Sequence, residues 1–379
     1  MKRNIYLMYA IALLQGMVFY GPVATLYRQV HGVSIFQITM IESISLFLCI
    51  LLELPWGIVA DRIGYKKTLV FCCWLYLISK IVFWQADGFF WFLAERVMLS
   101  FVIAGFSGVD TSILYLSDKE NSQKVFGIYA SLQMAGLLFA SCIFSVFIRN
   151  NYQLAGFCTV VSYGIAAVLS LWLIEVKNKS PEKVSLQRFQ SSLKETLGNR
   201  NLLLFLIGVA FLSETHQTVT VFLNQLQYEK CGLDSSEIGY IYVIATLIGM
   251  TGRYSVRVTK KIGRKYSLIL FSGFAAISCV VLVFTSYALL SVGSILLLRF
   301  SDTLFQPLRM QIQNQQVQSH DRATVLSIHA MITDSIAIIT NLIFGFLAER
   351  ELRLAFFFGT GICIFSLFLF RRTIRRMDT

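Results

Sequence analysis

Charge is scarce in this chain: Asp, Glu, Lys and Arg make up 14% of its 379 residues, where a soluble domain of ordinary composition carries about 25%. That leaves too little polar surface to cover a globule in water. Proline is scarce too, with only 4 in the whole chain, which argues against long structured loops. The 8 cysteines form no Cys-x-x-Cys or other metal-ligand spacing. All but Cys231 lie in apolar runs, where a thiol acts as a small hydrophobe, so neither a metal site nor a disulfide framework is implied. The phosphate-binding glycine loops, HExxH and GxSxG are missing, so no cofactor is expected and ATP cannot power the protein directly. His329 and Asp334 have the spacing of an acyltransferase signature, but they fall inside an apolar helix with no companion motif.

What the chain has is length of apolar run. Hydrophobic residues make up 56% and include 32 Phe, and the mean hydropathy is +0.66. A helix needs about 20 apolar residues to cross a bilayer. That rule predicts twelve spans, near 5–27, 36–57, 68–86, 89–114, 125–148, 153–175, 201–227, 237–256, 266–285, 287–312, 323–347 and 353–371. The first is too long for the apolar core of a signal peptide and lacks a clean cleavage site, so it reads as a retained span. The expectation is an all-α membrane protein with a six-helix bundle over 1–176, a polar linker over 177–200 and a second six-helix bundle over 201–379.

The net charge of +12 does not indicate nucleic acid, because the cations sit in short segments between spans. With the N-terminus inside, 23 of the 33 Lys and Arg fall on the cytoplasmic side and 5 on the other. This bias predicts both termini in the cytoplasm.

The halves also repeat. Gly32-Val33-Ser34 with Gln37-Ile38 returns 200 residues later as Gly232-Leu233-Asp234 with Glu237-Ile238. Ile63-Gly64 returns as Ile262-Gly263, and Gly127-Ile128-Tyr129-Ala130 as Ser327-Ile328-His329-Ala330. Three matches in one order at nearly one offset predict a duplicated six-helix unit, as in many transporters.

Between spans 2 and 3 the chain reads Gly57-Ile58-Val59-Ala60-Asp61-Arg62-Ile63-Gly64-Tyr65-Lys66-Lys67-Thr68-Leu69. With Glu53-Leu54-Pro55-Trp56-Gly57 before it and Arg322-Ala323-Thr324-Val325-Leu326-Ser327 opening span 11, this resembles the signature loop of the major facilitator superfamily. The resemblance extends over the chain through the 6+6 repeat. It implies a secondary active transporter working by alternating access, in a bacterial-type inner membrane. It also implies a conformational latch at Gly57, Asp61, Arg62, Gly64, Lys66 and Lys67, with Asp61 holding the halves together through span 11. Asp61 and Arg62 read equally as solvated charges that end a span. The second copy has Lys260-Lys261 where Asp61-Arg62 stand, so one latch of this type is expected. Exporters of the superfamily often carry Gly-x8-Gly-x3-Gly-Pro in span 5. Here Gly127 and Gly136 keep that spacing, but Ala140-Ser141 replaces Gly-Pro, and the glycines read equally as packing residues.

An ionisable side chain at bilayer depth is expensive unless it is paired or faces water. Glu214 falls near the middle of span 7 and Gln15 at similar depth in span 1. First helices of each three-helix unit line the central cavity in the superfamily. Glu214 is therefore the first candidate for a proton or cationic-substrate site, with His216 nearby on another face, and a carboxylate satisfied by a neighbouring helix is the competing reading. Arg299 and Asp302, one turn apart on span 10, predict an intrahelical pair. Arg96 lies where such carriers keep an Arg tied to proton coupling, although Ser100 replaces the expected glycine. Tyr20 and Asn341 are either cavity groups or helix–helix hydrogen-bond partners. Glu42, Lys80, Asp110 and Asp334 lie nearer span ends, where snorkelling or interhelix pairing explains them.

The expected function is proton-coupled efflux of an amphipathic or drug-like compound by a monomer, with a small-molecule substrate, a proton as co-ion and lipid as surroundings. Import or uniport of a nutrient stands as the alternative. A non-transporting membrane sensor or a lipid-handling protein stands as the reading from another class.

Overall fold

A computed structural model describes residues 2–176, 186–316 and 322–377; nothing is described of the side chains of residues 53, 54, 57–61, 186–189, 322–324 and 374–377. Every regular element among the described residues is helical. Among the described residues, eleven stretches are long and apolar enough to cross a membrane: Lys2–Val30, Ile35–Leu52, Tyr65–Gln85, Phe89–Ser117, Ser122–Ile148, Tyr152–Ser170, Arg200–Lys230, Arg264–Phe284, Ala288–Gln315, Val325–Arg350 and Leu352–Thr373. The expected eighth span is helical but divided. Helix Ser235–Gly249 runs through the 3-10 turn Met250–Tyr254 into Ser255–Ile262, whose Arg257, Lys260 and Lys261 shorten the apolar window. A short helix, Leu186–Gly198, lies in the linker. Large apolar side chains such as Phe90, Phe147, Phe284 and Phe357 are exposed, as a surface solvated by lipid requires.

The repeat can be followed in the backbone. Gly32 and Gly232 have φ of 80° and 82°, and each closes its helix the same way. Val33 N–H bonds to Arg28 O at 3.1 Å, and Leu233 N–H to Tyr228 O at 3.1 Å, the six-to-one bond of a glycine C-cap. Gly64 and Gly263, at φ 101° and 83°, open the next helices. Thr68 Oγ1 and Ser267 Oγ bond back to their carbonyls at 2.9 and 2.8 Å. Side chains at such φ are strained, so the sequence repeat falls where glycine is required.

The chain divides into two compact units, each containing a short segment from the other half. Unit 1 holds Met1–Ser34, Ile44–Pro181 and Asp234–Thr246; unit 2 holds Ile35–Ser43, Glu182–Leu233 and Leu247–Thr379. In unit 1 the start of span 8 packs on span 5, with Ser236 Oγ donating to Ser145 O at 2.6 Å. In unit 2 the start of span 2 packs on span 11, with Asn341 Nδ2 donating to Thr39 O at 3.3 Å and Ser43 Oγ to Ile338 O at 3.2 Å.

The first and seventh spans are both irregular near their middles. Helix Lys2–Gly16 stops, the chain leaves helical geometry over residues 17–20, and helix resumes through Gly21–Val23 into Ala24–Val30. Span 6 takes up the released backbone groups. Tyr163 Oη donates to Gln15 O at 2.5 Å, Ser162 Oγ donates to Leu14 O, and Thr159 Oγ1 accepts from Phe19 N–H at 3.0 Å. In span 7 the α-helix widens into a π-turn over Thr218–Leu223, nearly 200 residues after the break in span 1.

Candidate functional site

In unit 1, Lys80 and Glu95 lie seven residues to either side of the Asp87-Gly88 turn that joins spans 3 and 4. They therefore sit at equal depth, about 10 Å in from the turn at 1.5 Å per residue. The Lys80 ammonium donates to Tyr20 Oη at 2.9 Å and to Glu95 Oε1 at 3.3 Å. The rings of Tyr76, Tyr20 and Tyr163 lie 5.1, 5.7 and 5.7 Å from it, a cation–π cage. Lys80 is 5% exposed and Glu95 1%. Of the two readings for Lys80, the structure shows interhelix pairing: the side chain does not snorkel to an interface but turns inward to a carboxylate on the adjacent span. Glu95 Oε2 has no hydrogen-bond partner. Tyr20, from the broken stretch of span 1, thus hydrogen-bonds to span 3. Gln15 is partly exposed and reaches Cys73 Sγ at 3.5 Å. Arg96 lies one position beyond Glu95, its carbonyl accepting from Ser100 Oγ at 2.9 Å.

In unit 2, Glu214 is 6% exposed and accepts from Thr218 Oγ1, on the π-turn, at 2.7 Å. Thr218 also reaches Asn341 Oδ1 of span 11 at 3.4 Å. No Lys, Arg or His pairs with Glu214 among the described residues. Instead Glu42 and Asp334, expected near span ends, lie close enough for their charges to act on it. His216 turns away from this carboxyl, as its place on another face predicts. Its Nδ1 lies 3.4 Å from Asp302 Oδ1, and neither ring nitrogen makes a hydrogen bond. Asp302 also meets Arg299 Nη1 at 3.5 Å, the expected one-turn pair, and Gln306 Nε2 at 3.2 Å. Arg309, one turn past Gln306, donates to Ser213 Oγ at 2.7 Å.

The structure therefore brings Tyr20 to Lys80 and Glu95, brings His216, Arg299 and Asp302 into one network, and leaves Glu214 with hydroxyl and amide neighbours. Glu95 as the partner of Lys80, Thr218 beside Glu214 and Arg309 were missed in the sequence. Counting outward from the Asp87-Gly88 turn would have found the pair. Thr218 follows Glu214 at i+4, a spacing that puts the two on one face.

Around the proposed latch, Gly57 and Asp61 belong to the helix Ile35–Ile63, but their environment lies outside the described residues, as does Arg322. Arg62 is exposed. Gly64 begins span 3 against a carboxylate from the end of span 6. Glu175 Oε1 accepts from Lys66 N–H at 3.2 Å, and Oε2 would lie 2.8 Å from a Cβ at Gly64. An anion at a helix N-terminus is favourable. Lys67 is exposed. The span 5 glycines differ: a Cβ at Gly136 would strike the Leu13 carbonyl of span 1, whereas nothing lies within 4 Å of one at Gly127. Ala140 and Ser141 continue the helix, with Ser141 Oγ bonded to Leu137 O at 2.7 Å.

Compared with known proteins, residues 5–339 match the sequence pattern of the Major Facilitator Superfamily. No curated protein matches the sequence. Among solved structures, the nucleoside transporter NupG is similar at a TM-score of 0.80 and 14% identity, covering 99% of each chain. A bacterial homologue of the human lysosomal transporter Spinster, in an inward-facing and unoccupied conformation, is similar at 0.75 and 14% identity, covering 99% of this chain and 97% of that one. The human organic anion transporter MFSD10 is similar at 0.64 and 13% identity, covering 97% and 99%. At these identities the likeness is one of fold.

Proposed function

The chain belongs to the major facilitator superfamily, and from that premise we propose that it is a proton-coupled secondary transporter exporting a small amphipathic compound by alternating access. The observation that carries this reading is Glu214. It is a buried carboxyl one turn before the irregular part of span 7, with a hydroxyl partner and, among the described residues, no paired cation. A carboxyl held there is neutral when it carries a proton or a bound cation, and exchange between those states is what coupling requires. Irregular helix near the middle of a span is where transporters place their ion and solute sites. Asp302, His216 and Arg299 form a second polar group in the same unit, and the acidic neighbours Glu42 and Asp334 favour entry of a proton to this half. The charge bias of the loops supports both termini inside, and the resemblance to bacterial members of the superfamily supports an inner membrane.

Inverted vesicles energised with an inward-acid gradient, loaded with a pH-reporting dye and challenged with a panel of amphipathic compounds, test the proposal. Compounds that are carried should release protons, and Glu214→Gln should abolish that release while leaving gradient-free exchange of the same compound. Proton release that survives in Glu214→Gln removes the residue from the mechanism.

Import or uniport is the second reading. Ala140-Ser141, in place of the Gly-Pro of exporters, favours it, because span 5 passes this point without a proline. A deletion strain that grows poorly on a limiting nutrient and normally on toxic compounds would establish it.

A further inference from the structure

The polar centre of unit 1 is neutral overall and unevenly satisfied. Every donor direction of Lys80 is used: one on Tyr20, one on Glu95 Oε1, and the rest facing tyrosine rings, with Tyr76 at 5.1 Å. Glu95 is different. One oxygen holds the lysine, and Oε2, on a side chain 1% exposed, has no donor. A charge pair whose role is structural needs its remaining lone pairs satisfied, and a buried carboxylate oxygen without a donor among the described residues is a place for one. The group also lies against the interrupted part of span 1, where the main chain is held by the side chains of Thr159, Ser162 and Tyr163 rather than by helical bonds.

We propose that Glu95, Lys80 and Tyr20 form a solute-recognition subsite, with Glu95 Oε2 accepting a hydrogen bond from a neutral hydroxyl or amide group of the transported molecule. This rests on the reading of the chain as a transporter and specifies the class of compound it carries. The surroundings select against charge. A solute cation would meet the Lys80 ammonium, already 3.3 Å from the carboxylate, and a solute anion would meet Glu95. A neutral donor meets neither penalty. The surroundings are aromatic, with Tyr76 edge-on to Tyr163 at 4.6 Å and Tyr20 stacked on Phe83 at 4.0 Å. Tyr76, the one of these rings that is partly exposed, suits contact with an aryl group or the C–H face of a sugar ring. Gln15 and Tyr76, the partly exposed members of the group, mark the side of approach.

Equilibrium binding to the full chain in phospholipid nanodiscs tests this with two probes on one ring scaffold: phenyl β-D-glucopyranoside, which donates hydrogen bonds, and 2-phenoxyoxane, the ring ether without its hydroxyls, which does not and is no bulkier. Wild type should prefer the glucoside by about tenfold or more, as a site built for a hydroxyl rejects an analogue lacking it. Glu95→Gln keeps an amide oxygen for Lys80 and places an NH2 where Oε2 was. It should bind the glucoside about tenfold more weakly and the ether no less tightly than wild type. Wild type that binds the two probes equally, or neither, overturns the proposal, and this comparison does not depend on any variant folding. A Glu95→Gln chain that melts normally and binds the glucoside as wild type does also overturns it. Glu214→Gln should bind the glucoside unchanged, so failure of the coupling reading and failure of this one show in different measurements.

Discussion

The two units place different chemistry at equivalent irregularities of a duplicated scaffold. In unit 1 the break at residues 17–20 carries Tyr20, which meets a lysine and a carboxylate that neutralise each other. In unit 2 the π-turn at Thr218–Leu223 carries Thr218, which meets a carboxylate without a counter-ion among the described residues. Duplication conserved the interruption and the glycine caps, while the polar side chains diverged. One unit therefore presents a neutral centre with a directional acceptor, and the other presents a group whose charge must be supplied or removed.

The largest effect that would break this comparison is on folding. Lys80→Met leaves Glu95 charged and unpaired beneath three tyrosines. Removing one partner of a buried pair costs about 3–5 kcal/mol, so the variant should melt far below wild type or fail to accumulate. Lys80→Met combined with Glu95→Gln should recover most of that loss, because no charge remains. If the single variant melts like wild type, the pair is not buried as described, and the contrast between the units disappears.

Gly136 is the next test. A side chain there meets the Leu13 carbonyl, and one at Gly16 meets the Gln133 carbonyl, so spans 1 and 5 touch backbone to backbone. Gly136→Val should lower stability by about 1–3 kcal/mol, as overpacking does, whereas Gly127→Ala, in open space, should change it little. The same reasoning extends to unit 2, where Gly345 admits the Thr39 side chain. Thermal melts of these two variants and of Gly345→Val, which should also be destabilised, decide whether both units rely on such contacts.

These outcomes bear on how much could be read from residues alone. The spans, the polar linker and the repeat were legible because bilayer thickness and left-handed turns constrain sequence directly: Gly32 with Gly232 and Gly64 with Gly263 sit where a Cβ would be strained. The pairing of Arg299 with Asp302 was legible because it is local. The break in span 1 was not, since residues 5–27 form one apolar run, and the hydroxyls that hold it come from span 6, some 140 residues away. Span 8 was drawn as a single crossing because its basic residues follow the apolar part instead of interrupting it. Lys80 stood between snorkelling and interhelix pairing, because distance from a span end does not show the matching depth of Glu95 across a two-residue turn. The closeness of Glu42 and Asp334 to Glu214 depends on which helices neighbour one another, and a lone sequence does not carry that.

A smaller effect compares the two copies of the repeat directly. Gly32→Ala and Gly232→Ala place a Cβ at φ near 80° with nothing else within 4 Å. Strain is then the whole cost, about 1–2 kcal/mol at each position. Equal losses on thermal melting would show that the caps are energetically equivalent; a loss confined to one would show that the repeat is conserved in shape but not in energy.

The smallest expected effect gives the sharpest contrast. Glu214→Gln retains an oxygen for Thr218 and removes an acid that has, among the described residues, no counter-ion and two acidic neighbours. Its melting temperature should match or slightly exceed wild type, a change of about 1 kcal/mol or less, even though proton release in vesicles is lost. Glu95, by comparison, is bound to Lys80, so any change there alters a charge pair as well. A carboxyl that costs nothing to remove yet is needed for coupling is retained for function rather than for folding. A clear destabilisation in Glu214→Gln would instead assign the residue to helix packing through Thr218 and Asn341, and the coupling role would have to pass to the His216–Asp302 pair.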